Sequence, residues 1–82
     1  MQGRKLRRVF KRVCEKLKHV SEDDMYVILW SLKLSYLFHN DAPEFQLEVL
    51  RRKLEKTMTK LGEYRSNMIT DMVDEVFDEY FQ

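Results

Sequence analysis

The sequence has one cysteine, one proline and two glycines in 82 residues. A lone Cys14 excludes an intramolecular disulfide, and the scarcity of Pro and Gly leaves little material for the many turns of an all-β chain. Helix almost throughout is the expectation. No segment is long and apolar enough to span a bilayer: residues 25–38 come nearest, interrupted by Lys33, and a spanning helix needs about 20 residues. That stretch follows the acidic Ser21-Glu22-Asp23-Asp24 and not a basic flank, so it does not read as a signal peptide. A reducing, cytoplasmic compartment is expected.

A catalytic constellation is also missing. Cys14 has no histidine within a turn on its own face, His19 being five residues on, and it sits among Phe10, Val13 and Leu17 as a small core residue would. His19 and Asp23 are spaced like two metal ligands, but a helix cap at Ser21 would divide them between two helices, and no third ligand accompanies them. The acidic line Asp71, Asp74, Glu75 and Asp78 lacks the bent loop from which calcium sites draw their oxygens. The expectation is a non-enzyme without metal or cofactor.

What the chain does contain is a rod of apolar residues. Residues 25–38 carry eleven apolar side chains and one charge, and a helix apolar on nearly every side must be enclosed by other helices. A domain of this size buries only about 60% of the surface that its unfolded chain exposes, so a second copy would strengthen a marginal core.

Spacing predicts the helices that enclose it. Leu6, Val9, Phe10, Val13, Cys14, Leu17 and Val20 fall on one side of a helix over about 4–19. Ser21 with Asp24 forms a capping-box-like pair opening a second helix over 22–39, with Val20 and Met25 as its hydrophobic staple. Asn40-Asp41-Ala42-Pro43 is a turn, and Asp41 with Glu44 is placed to cap a third helix over 43–61. Gly62 marks its end. Met68, Ile69, Met72, Val73, Val76, Phe77, Tyr80 and Phe81 describe a fourth helix over 66–81, capped by Ser66 or Asn67. One glycine inside a helix costs about 1 kcal/mol, so the third and fourth helices form either two rods or one continuous rod. The predicted fold is all-α: a single domain over 1–82, a small four-helix bundle in up-down-up-down order.

Charge divides the chain. Residues 1–20 hold eight Lys or Arg against Glu15 alone, a net of +7, and residues 66–82 hold five carboxylates and no cation, a net of −5, so the overall +1 conceals both blocks. Each block opposes the dipole of its own helix and calls for opposite charge from outside. In an up-down-up-down bundle the two lie side by side, and Arg4, Lys5, Arg7 and Arg8 can pair with Asp74, Asp78 and Glu79. Arg4, Lys5, Arg7, Arg8, Lys11, Arg12 and Lys18 can instead follow a line of phosphates, with strong salt dependence and little sequence preference. A helix-turn-helix reader does not fit, because the second helix is too apolar and the third opens with Glu44 and Glu48. Membrane binding would take Leu6, Val9, Phe10, Val13 and Leu17 away from the rod that they cover.

Two further features bear on partners. Ser31, Ser35 and His39 form the only polar line down the second helix, a solvated edge or a polar network across a dimer axis. Tyr26, Trp30 and Lys33 share one side of the same helix and form the candidate dimer or partner interface, Tyr and Trp being enriched where interfaces bind tightly. The resulting expectation is a small, dimeric binding protein whose basic first helix engages nucleic acid. The alternative is an adaptor or inhibitor that docks a protein target through aromatic and charged helix faces.

Overall fold

The computed structural model describes residues 2–81, and these form four helices: α1 (Gln2–Leu17), α2 (Glu22–His39), α3 (Glu44–Leu61) and α4 (Glu63–Phe81). The start of α2 follows from local chemistry. The Asp24 N–H donates to Ser21 Oγ at 3.1 Å and the Ser21 N–H donates to Asp24 Oδ2 at 2.9 Å, so both halves of the capping box are closed.

Helix ends differ from the sequence expectation where the backbone turns left-handed. Lys18 adopts φ 68° and stops α1 at Leu17. At the far end of α2, Asn40 satisfies free carbonyls from both its backbone and its side chain, its Nδ2 donating to Tyr36 O at 2.7 Å, before Asp41 turns with φ 57°. Asp41 and Glu44 do not cap α3. Pro43 holds the N-cap position with no side-chain bond, and Glu44 instead accepts from Arg51 Nη1 at 2.7 Å.

Gly62 separates α3 from α4 with φ 100° and ψ 152°, a conformation open essentially to glycine alone. The chain therefore takes the broken course of the two that the sequence allowed. The fourth helix begins at once, three residues before the predicted start, and Ser66 is not its cap. That residue lies fully buried inside α4, and its hydroxyl donates across the break to Met58 O at 3.1 Å.

The core shows how the rod is enclosed. Val27, Ile28 and Leu32 of α2 meet Ile69, Val73, Val76 and Phe77 of α4, while Val9 and Val13 enter from α1 and Leu54 from α3. Both α1 and α3 pack against α2 and α4 without contacting each other. Enclosure of α2 is incomplete: Met25, Tyr26 and Phe38 remain exposed. Among the described residues no helix is long and apolar enough to cross a membrane.

Candidate nucleic-acid interface

The buried arc of α1 runs through Val9 and Val13, which are fully covered, with Leu6, Phe10, Cys14 and Leu17 packed beside them. A helix that buries one arc must present the other, and the presented arc is cationic. Arg4, Lys5, Arg7, Arg8, Lys11 and Arg12 are all exposed. Arg4, Arg7, Arg8 and Lys11 surround one shallow surface depression, so their heads converge on a common patch.

Pairing with α4 is slight. Among the described residues the only ion pair between the two helices is Lys16 Nζ to Glu75 Oε1 at 3.8 Å, and Arg4, Arg7, Arg8, Lys11 and Arg12 make none. The expected bridges from Arg4, Lys5, Arg7 and Arg8 to Asp74, Asp78 and Glu79 are not formed. The reason is angular: Asp71, Asp74, Glu75 and Asp78 cluster on the side of α4 opposite its buried Ile69, Val73 and Val76, where Asp74 and Asp78 lie beside Ser35 and His39 of α2 and only Glu75 reaches α1, at Lys16. Lys5 turns instead to the ring of Phe81, 5.4 Å from its centroid, at the end of an aromatic row in which Phe77 stacks on Phe81 at 4.4 Å and on His39 at 5.2 Å. Lys18 stands outside α1, exposed, in the left-handed turn.

Of the three residues proposed for an interface on α2, Tyr26 and Lys33 border one furrow and Trp30 leaves it. Tyr26 is 43% exposed and borders a furrow between α1 and α2. Trp30 turns from that furrow toward α3 and is half-buried, with Lys33 Nζ 5.3 Å and Lys53 Nζ 5.0 Å from its ring centroid. Lys33 is exposed and lies beside Arg7 at one end of the furrow. Leu29 and Phe10, which sequence reasoning did not single out for an interface, line the furrow floor over its whole length. The signal for Leu29 was present in the helical spacing of Glu22, Tyr26, Leu29 and Lys33.

The polar line on α2 is not a solvated edge at its start. Ser31 is buried, Ser35 Oγ donates to Asp74 Oδ1 at 3.4 Å, and only His39 is exposed. Burial pushes the Cys14 thiol above its ordinary pKa, and the nearby Asp24 charge adds to the effect, which disfavours the thiolate. Among the described residues no three His, Cys, Asp or Glu side chains converge as metal ligands would. Compared with known proteins, the chain matches no family model, no curated protein and no solved structure.

Proposed function

We propose that this chain is a small non-enzymatic binding protein of a cytoplasmic compartment, and that the solvent side of α1 engages the phosphate backbone of nucleic acid with little sequence preference. The observation that carries the reading is the absence of ion-pair partners for Arg4, Arg7, Arg8, Lys11 and Arg12 among the described residues. Unneutralised cations gathered on one helix retain their full attraction for a polyanion and release its counterions on contact. No acidic side chain interrupts the arc before Glu15. The up-down-up-down order is part of the same proposal, supported by Lys5 beside Phe81 at one end of α1 and by Arg65 of α4 bonded to His19 O at the other. That order keeps the acidic end of α4 next to the basic start of α1 without letting the two cancel.

The test is a fluorescence-anisotropy titration of labelled duplex and single-stranded oligonucleotides of mixed sequence at increasing salt. With four or five phosphates engaged, the logarithm of the duplex association constant should fall with the logarithm of salt at a slope of about −4. Replacing Arg8 and Lys11 with Ala should weaken binding for all sequences alike and reduce the slope by about 2. Absence of binding at low salt would remove this reading and leave the protein-adaptor reading ahead.

A further inference from the structure

The furrow between α1 and α2 is apolar along its length and charged at its two ends in opposite sense. Leu6, Phe10, Met25, Tyr26 and Leu29 line it, Glu22 closes one end, and Arg7 with Lys33 closes the other. We propose that a second copy of this chain fills the furrow, with α2 lying antiparallel on the α2 of its twin about a two-fold axis.

The order of charge along the furrow favours a twin over any other occupant. In a two-fold contact, residue i of one copy meets residue j of the other and j meets i, so the patch must complement itself. Antiparallel α2 helices in the register that sets Glu22 against Lys33 also set Tyr26 against Leu29, because both pairs are centred on the same point between Val27 and Ile28. One register thus satisfies the charges at both ends and the apolar residues between them. Glu22 and Lys33 stand about 16 Å apart along the helix, at about 1.5 Å per residue, so the two ion pairs bracket the apolar contact. A parallel overlay would instead bring Glu22 onto Glu22. An acidic helix from elsewhere would meet Glu22 at one end, and a basic one would meet Arg7 and Lys33 at the other.

Exposure on α2 agrees with this arrangement. Met25 and Tyr26 are 42% and 43% exposed on a helix otherwise built for enclosure, and the twin removes both from water. The Arg4, Arg8, Lys11 and Arg12 side of α1 lies beyond the furrow edge, so pairing leaves it uncovered.

Light scattering on the whole chain across a wide concentration range reads the result. Wild type should reach twice the 10.1 kDa of one chain at high concentration. Glu22→Lys and Lys33→Glu should each raise the dimer dissociation constant about tenfold or more, since each sets like charges against one another at both ends. An equimolar mixture of the two variants should dimerise again as a heterodimer, because the lysine introduced in one copy then faces the glutamate introduced in the other, and the unaltered Lys33 and Glu22 face each other at the opposite end. Leu29→Arg should give a folded monomer by circular dichroism, independent of the end charges. A wild type that stays monomeric throughout overturns the proposal and leaves the furrow to a foreign protein. Dimers indifferent to all three changes, or a mixture that stays monomeric, overturn it equally. No nucleic acid enters these measurements, so their failure and that of the phosphate-binding reading are separable.

Discussion

Arg65 of α4 holds the carboxylate of Asp24 on α2 with two nitrogens, Nε to Oδ1 at 3.2 Å and Nη2 to Oδ2 at 2.9 Å. The same Nη2 donates to His19 O at 3.1 Å, so one guanidinium ties together α4, the first turn of α2 and the link that follows α1. Asp24 is buried, whereas Arg65 keeps a third of its side chain in solvent. Hydrogen bonds from Arg65 hold the Asp24 carboxyl below its ordinary pKa, outweighing the opposite effect of burial, with the Ser21 backbone contributing in the same direction.

Removing Arg65 leaves a buried carboxylate with only its Ser21 bonds. Arg65→Ala should destabilise the fold by about 2 kcal/mol in urea denaturation, near the range for hydrogen bonds to charged groups. Arg65→Lys should recover only part of that, since an ammonium lacks the planar fork. Equal stability of the Ala variant and wild type would remove the guanidinium from its structural role.

The pH dependence follows from the same pair. A carboxyl whose folded pKa lies below its unfolded value of about 3.9 binds fewer protons when native, so its contribution is complete above that value and fades as pH falls through the folded pKa. Asp24→Asn should therefore lower stability at neutral pH and flatten the acid limb below about pH 4. An unchanged acid limb in that variant would assign acid sensitivity to other carboxylates.

These two residues also show what sequence alone could reveal. The Ser21–Asp24 box depends on a spacing of three residues and was legible, as was the span of α2. The partner of Asp24 was not, because Arg65 arrives from 41 residues away and has no periodic signature. Trp30 presents the same difficulty: whether it faced a dimer or α3 depended on Lys53, which no local pattern identifies. The charge blocks were visible in order but not in angle, and the angle of the α4 acids leaves Arg4, Arg7, Arg8, Lys11 and Arg12 without an ion pair among the described residues, while Lys16 alone reaches Glu75. Gly62 was ambiguous since a lone glycine costs a helix about 1 kcal/mol, less than the burial gained when α4 folds back to bring Ile69 and Val73 onto the core.

Gly62 should tolerate no side chain for reasons of backbone alone. A Cβ added there meets nothing within 4 Å, so the loss in Gly62→Ala, expected at about 1–3 kcal/mol, reflects only its positive φ. Thermal unfolding monitored by circular dichroism measures it. A neutral result would mean that the break moves to another residue or closes into a continuous helix, which a larger radius of gyration in small-angle scattering would reveal.

Two buried serines should respond in opposite ways. Ser66 donates to Met58 O, so Ser66→Ala should cost about 1 kcal/mol. Ser31 Oγ is buried and finds no partner among the described residues, so Ser31→Ala removes an unsatisfied hydroxyl and should be neutral or stabilising by up to about 1 kcal/mol. Comparable losses at both sites in urea denaturation would mean that Ser31 has a partner in solution.

Function and stability should separate on α1. Arg4, Arg8 and Lys11 are exposed and make no ion pair among the described residues, and Arg4 stands in the first turn of its helix, where positive charge opposes the dipole. Neutralising them to Gln removes an unfavourable charge while keeping a helix-compatible side chain. The triple variant should melt at the same temperature as wild type or slightly above, yet lose its salt-dependent affinity for oligonucleotides. A cationic patch retained only for folding would behave in the reverse way, with a lower melting temperature and unchanged binding. Measuring both properties on one preparation distinguishes a surface kept for a partner from one kept for the fold.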